Sequence, residues 1–351
     1  MNKIGWGQLG IVLALSRIFA EAANFPSDDI NYGMQRFTVI VLSYVLLVMA
    51  LVPVYAISSG NNGTAFCSKP AAAVMIIYLI MAGISTATRL QFYTSSTIFD
   101  DAPSWLLIIF VSAVCLYGLF KGLPAVSRAG VIISVFFLLL LGAIIIGTAD
   151  NLHLNRLYPA FTDNTSSLLN DVVTEFSKNG ELVIFAALYA DAGRKAHRSL
   201  FVYVPVALSA QLLMTFLYNT VLGEYLDVTN FPFYMLAALS DLSLLQRLDG
   251  IDVVVWLMSA VIKLSLIVLG IYSVCMRSFG SRKVSLIISS AALALTAGVS
   301  IYFSVNTTDF LLFAGILETA LPLIAAGVIV PLWILIAEYF RKRKEKRVEP
   351  A

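Results

Sequence analysis

The sequence predicts an all-α integral membrane protein of about ten transmembrane helices, arranged as an inverted 5+5 repeat. Three observations predict it. Hydrophobic residues make up 59% of the 351 and charged residues 13%, with a mean hydropathy of +0.87, too apolar for a soluble chain with one core to fill. About ten apolar runs approach the roughly 20 residues a helix needs to cross about 30 Å of hydrocarbon, and little sequence separates them. Two runs, one opening each half, are interrupted by polar residues, as expected where half-helices build a site at mid-bilayer.

In order, the spans are 4–23, 37–57, 71–93, 105–120, 131–147, 181–193, 200–222, 251–276, 284–303 and 310–340. The first has the length of a signal peptide. Glu21 and Asn24-Phe25-Pro26 replace the small residues of a cleavage site, so it is expected to remain in the mature protein. Ile18-Phe19-Ala20 before this break matches Ile184-Phe185-Ala186 in the short sixth run. Three apolar residues recur by chance in such a composition, so spacing carries the repeat: five helices, an interrupted one, then four more. The whole chain then reads as one membrane domain. Repeat one covers about 4–147, an outer-surface segment 148–180, repeat two about 181–340, and a basic tail 341–351.

Leu168, Leu169, Val172, Val173 and Phe176 recur at helical spacing in the long outer segment, which predicts a helix lying at the outer membrane surface rather than spanning. A second outer segment, 231–245, carries Met235, Leu236, Leu239 and Leu242 against Ser240, Asp241 and Ser243, and is expected to pack over the bundle. Both can act as a lid or as plain surface connectors.

Alternating loops place sixteen Lys and Arg on one side (3, 69, 121, 128, 194, 195, 198, 277, 282, 283 and six of 341–347) against four on the other, Arg36, Arg156, Lys178 and Arg247. The positive-inside rule makes both termini cytoplasmic. The bias is clean only with an even number of helices, which supports counting 181–193 as a span. The basic tail reads as a cytoplasmic stop signal near anionic lipid.

Cys67, Cys115 and Cys275 are far apart, without CxxC spacing, so neither a disulfide framework nor a metal site is expected. His153 and His197 stand alone in loops and read as solvated, leaving little for metal or triad chemistry. No enzyme activity, cofactor or nucleic-acid partner is expected.

The loop tally leaves Arg17, Arg89 and Lys263 inside spans, with Glu21, Glu181, Asp252, Glu318 and Glu338 in or near them. Each needs a partner or a role, because a charge at bilayer centre costs from a few to about 10 kcal/mol. Arg17 and Glu21, four residues apart, share a helical face; they either neutralise one another or meet a ligand. If Ala20-Glu21-Ala22-Ala23 unwinds, its freed N–H groups can hold an anion and its carbonyls a cation. Lys263 is too deep to snorkel and can pair with Glu21, Glu318 or freed carbonyls of the first helix. Glu318 precedes Pro322, which removes the hydrogen bond its carbonyl would accept, so it is either a proton or water site or a kink. Arg89 either snorkels outward or lines an outer vestibule with Tyr93.

The ordered set Gly7-Gln8-Leu9, Pro26, Arg89, Gly180-Glu181, Phe231-Pro232-Phe233, Gln246-Arg247-Leu248-Asp249, and Trp256 with Lys263 resembles the spore germination permease family, the B subunit of nutrient germinant receptors. That family stands within the amino acid–polyamine–organocation superfamily. The resemblance runs over nearly the whole chain. It implies a leucine-transporter fold with broken helices 1 and 6, the inner membrane of an endospore, and a complex with a larger membrane subunit and a lipoprotein subunit. It also implies a small nutrient, commonly an amino acid, held at mid-membrane by Phe19, Ala20, Glu21, Ala22 and Ala23, by Phe185, Ala186 and Tyr189, by part of 84–90, and by Met258 and Ile262. Sodium-independent members of the superfamily can place a lysine of the fifth helix where a coupling sodium would bind. The fifth span here has none, and Lys263 is expected to supply that charge. Arg17, Glu21 and Glu318 are the other expected ion-role residues. The alanine-lined break departs from the glycine-rich break of many relatives, so the ligand can be an amino acid, a different small nutrient or a cationic group. A free-standing proton-coupled amino acid transporter and a ligand-free scaffold are the alternative functions.

Overall fold

In the computed structural model, residues 4–22, 33–59, 68–97, 104–157, 165–193, 195–241 and 248–348 are described. Helix-forming runs of Leu, Ala, Ile and Met set its elements, and among these residues there is no strand. The first half holds α1 (Trp6–Ala22), α2 (Met34–Ser59), α3 (Lys69–Thr97), α4 (Ser104–Lys121) and α5 (Leu123–Gly147). Gly122, at φ 80, makes the turn that lets α5 start beside α4, and Pro124 sits in its first turn, where a missing N–H costs nothing.

The second half opens with α6 (Thr165–Ser177) and α7 (Glu181–Ala192), followed by α8 (Leu200–Leu217) and α9 (Pro232–Leu239). Then come α10 (Asp249–Phe279), α11 (Arg282–Val305), α12 (Thr307–Glu318), α13 (Leu321–Ile324) and α14 (Val330–Val348). A π-helical turn, Ala325–Ile329, joins α13 to α14. Among the described residues, seven segments are long and apolar enough to cross a membrane: Met34–Ser59, Lys69–Thr97, Leu123–Gly147, Ala196–Leu222, Asp249–Phe279, Arg282–Val305 and Leu321–Phe340. The chain is a multi-pass membrane protein.

The core is organised around α10, which packs against α1, α3, α4, α5, α7 and α11 and ends on Gly280 in the left-handed region, a common helix stop. Glycine brings α1 close to its neighbours. A Cβ on Gly10 would lie 2.6 Å from the Ser199 carbonyl, and one on Gly130 of α5 would lie 2.8 Å from a Val12 methyl.

Three elements differ from the sequence expectation. The first helix is continuous through Phe19, Ala20, Glu21 and Ala22, and Ala23 lies outside the described residues. Alanine is the strongest helix former, and Arg17 and Glu21 bridge one turn, so the Ala-Glu-Ala stretch stays wound as the last turn of the helix. The amphipathic segment before the sixth run does not simply lie on the surface. Its last turn is buried, with Val172, Glu175 and Phe176 at 5%, 0% and 6% exposure while Leu169 is 65% exposed. The bend separating α6 from α7 falls at residues 178–180, just before the apolar run. Finally, the tenth run is divided between Glu318 and Leu321, where Ala320 takes a left-handed φ of 59. In the second connector, α9 turns Phe233, Leu236 and Ala237 into the bundle; Leu242, Ser243 and Arg247 lie outside the described residues.

Candidate functional site

Where α1, α2, α6, α7, α8 and α10 meet, their polar residues form a buried network. Arg17 is 1% exposed. Its Nε donates to Asn179 Oδ1 at 3.2 Å, one terminal nitrogen donates to Glu21 Oε2 at 3.5 Å, and the other to Gln211 Oε1 at 3.2 Å and to Glu175. Glu175, fully buried, also accepts from Arg36 at 2.8 Å, Lys178 at 3.3 Å and Gln211. Glu21 takes second contacts from Arg36 at 3.5 Å and Gln211 at 3.1 Å. The local pairing of Arg17 with Glu21 is therefore present, but Glu175 is the closer partner.

Lys263 extends this network at the bend before α7. Its ammonium donates to Glu181 Oε1 at 2.8 Å and to the Ser16 carbonyl of α1 at 3.2 Å, and Ser16 Oγ donates to the same carboxylate oxygen at 2.8 Å. The partner of Lys263 is thus Glu181, not Glu21 or Glu318. Glu181 opens a helix, where a carboxylate is favoured by the dipole, and this places it beside the α10 lysine. Breaking a buried pair of this kind costs about 3–5 kcal/mol, because the remaining charge stays buried without a counterion.

Beside the network, and open on one side, lies a cavity of about 90 Å³. Phe19 and Ala20 of α1 line it, with Tyr78, Ala82, Ser85, Thr86 and Arg89 of α3. Ser177, Lys178, Gly180 and Ile184 at the α6–α7 bend, Lys263 of α10, and Ala314, Leu317 and Glu318 of α12 complete the wall. Gly180 allows the Tyr78 hydroxyl to approach the bend, since a Cβ there would lie 3.0 Å from that oxygen. The charged lining comprises Arg89, Lys178 and Lys263 against Glu318. Arg89 and Glu318 pair across the cavity edge at 3.7 Å. The α3, α10 and α6–α7 walls thus offer ammonium and guanidinium donors with hydroxyls beside them, α12 offers a carboxylate, and the rest is apolar. Such a lining suits a small polar solute.

The profile of the spore germination protein family matches residues 70–308, more than half of the 351. The chain belongs to the spore germination protein family. No curated protein matches it. The matched region of this germination protein includes Arg89, Glu175, Lys178, Glu181 and Lys263, whereas Arg17, Glu21 and Glu318 lie outside it.

Of the residues singled out in the sequence of this family member, Phe19, Ala20, Arg89, Lys263 and Glu318 meet at the cavity. Glu21, Ala22, Phe185, Ala186, Tyr189, Met258 and Ile262 are not part of its lining. Glu21 belongs to the ion network, and Ala22 faces a separate small cavity with Phe19, Asp252 and Trp256. Phe185 is packed into the core at 1% exposure. The Arg277 guanidinium occupies the far side of α7, donating to the carbonyls of Ala186 and Ala187 and lying 5.1 Å over the Tyr189 ring. Met258 points out of the bundle at 47% exposure, and Ile262 faces Gly130 of α5. On α10 the inward face therefore carries Trp256, Ser259 and Lys263, and Met258 falls on the other side.

Tyr93 is not a vestibule residue. It is 1% exposed, stacks on Trp256 at 3.8 Å, and donates to Asp252 Oδ2 at 2.7 Å. Trp256 in turn packs on Phe19 at 4.7 Å, so this aromatic column supports the α1 wall of the cavity.

Sequence reasoning missed Glu175, Gln211 and Asn179, and gave Glu181 no partner. A signal for Glu175 exists: Val172, Glu175, Phe176 and Asn179 follow i, i+3, i+4, i+7 spacing, one helical face. The carboxylate and the amide thus stand within an apolar stripe.

Proposed function

We propose that this germination protein is the nutrient-sensing subunit of a spore germination receptor, binding a small molecule such as an amino acid in the cavity and signalling to partner subunits. The observation that carries this reading is the cavity lining. Lys263, Lys178 and Arg89 are suited to a carboxylate, Glu318 to an ammonium group, and Phe19, Ile184 and Leu317 to a short side chain. Lys263, held between Glu181 and the Ser16 carbonyl, is the fixed cation at the junction of α1 and α7. That position supports its reading as the stand-in for a coupling ion. Ligand binding signals only if it favours one conformational state of the bundle over another.

The finer architecture belongs to the same proposal. The chain is read as one membrane domain of about ten spans, a leucine-transporter-like 5+5 repeat of the amino acid–polyamine–organocation superfamily. The α6–α7 bend supports a broken sixth helix. Both termini are read as cytoplasmic, in the inner membrane of the spore, with a larger membrane subunit and a lipoprotein subunit as partners.

A proton-coupled amino acid transporter is the second reading, favoured by one observation: the Glu318 carboxylate lines the cavity and is 41% exposed. Full-length chain reconstituted in lipid vesicles with labelled amino acids separates the two. Saturable binding without uptake, lost in Lys263→Met, is the expected result. Concentrative uptake without partner subunits would establish the transporter instead, and neither binding nor uptake would leave a scaffold.

A further inference from the structure

We propose that α12 is the movable wall of the cavity, anchored at its start by a phenylalanine cluster and latched at its end by the Arg89–Glu318 ion pair. Among the twelve residues of this helix only Phe310 and Ala314 are buried, while Leu311, Leu312 and Ile316 are 64%, 70% and 54% exposed. Phe310 lies 5.4 Å from the Phe92 ring and 5.9 Å from the Phe303 ring. That cluster ties the first turn of α12 to α3 and α11. The last turn carries Leu317 and Glu318 into the cavity lining.

Past Glu318 the backbone is jointed. Ala320 holds a left-handed φ of 59, the one non-glycine residue to do so among those described. Helical bonding resumes where the Ile324 N–H donates to the Ala320 carbonyl at 2.9 Å. Pro322 has no N–H to offer the Glu318 carbonyl. Hinges in proteins are a few positions at the ends of elements that absorb backbone rotation, and residues 319–321 are such a place. The last turn of α12 can therefore pivot on the Phe310 cluster without dragging α13 and α14, sliding against α6, on which the helix also packs.

The latch is of the reversible kind. Its 3.7 Å separation is the longest among the ion pairs found here, and Glu318 is the most exposed of the charged lining residues, with side-chain exposure of 41% against 16% for Arg89, 19% for Lys178 and 8% for Lys263. A pair of this length with one exposed partner contributes less than a fully enclosed one, so it can open and close where the buried pairs of α1, α6 and α7 cannot.

The test needs no ligand, so its failure is separate from failure of the sensing proposal. In full-length chain with Cys67, Cys115 and Cys275 replaced by alanine, a Ser85→Cys reporter in the cavity lining is reacted with a small charged thiol reagent in lipid vesicles. Glu318→Gln or Arg89→Glu is expected to raise the labelling rate about fivefold, and the charge swap Arg89→Glu with Glu318→Arg is expected to return it to the parent rate. A Ser259→Cys reporter in the other cavity is expected to label at the parent rate throughout. Parent-rate labelling of Ser85→Cys in both single variants would overturn the latch. So would a swap that stays fast, or acceleration of both reporters together, which would mean general loosening.

Discussion

The ion network around Arg17 and Glu175 and the ion pair of Arg89 with Glu318 use the same charged groups to opposite ends. In the network, each carboxylate answers several donors from different helices and the central residues are 1% and 0% exposed. At the cavity edge, a longer pair joins α3 and α12 with its carboxylate 41% exposed. Burial makes the difference. An enclosed carboxylate such as Glu175 must be answered wherever it goes, so the network locks α1, α2, α6 and α8 together, whereas the exposed carboxylate of Glu318 can exchange its partner at smaller cost. On the proposed reading, the two kinds of pair divide the work between scaffold and moving wall.

The largest expected effect comes from the network. Glu175→Ala leaves Arg17, Arg36 and Lys178 without their shared carboxylate, and is expected to destabilise the protein by about 3–5 kcal/mol, read as a large fall in Tm of the purified full-length chain. An unchanged Tm would remove the distinction between the two regions. Double-mutant cycles sharpen it. Arg17→Met with Glu175→Leu is expected to show a coupling of about 2–3 kcal/mol, while Arg89→Met with Glu318→Leu is expected to stay below about 1 kcal/mol; equal couplings would break the comparison. The smallest effect is expected at Met258→Ala. It should leave stability within about 0.5 kcal/mol and amino acid binding intact, because this side chain points out of the bundle. Loss of binding there would return Met258 to the ligand site.

Legibility of the site in the sequence followed how local each interaction is. The Arg17–Glu21 contact could be read from i, i+4 spacing, and Lys263 and Arg89 from their placement in apolar runs, since an intramembrane charge is conspicuous wherever it pairs. Glu175 was hidden because its segment has the composition of a surface helix. Only its position within the stripe of Val172 and Phe176 betrays it. The expected alanine break reads differently for a related reason: a polar residue in an apolar run marks a site that needs a partner, and Glu21 finds its partners on α2 and α8 while residues 20–22 stay helical.

By itself the sequence determined that the chain is helical and embedded in a membrane, since only continuous helices or closed barrels satisfy every backbone group in lipid and the apolar runs have helical length. It also singled out most of the charges that matter. Which charge meets which was decided by tertiary structure alone: Lys263 with Glu181, 82 residues apart, and Arg17 with Glu175, 158 residues apart. Pairing across such separations depends on the rotation and depth of whole helices, set by packing such as the approach of α1 to α8 at Gly10. One residue's turn along α10 is enough to send Met258 outward and Ser259 inward, a choice that periodicity brackets and only the packed neighbours settle.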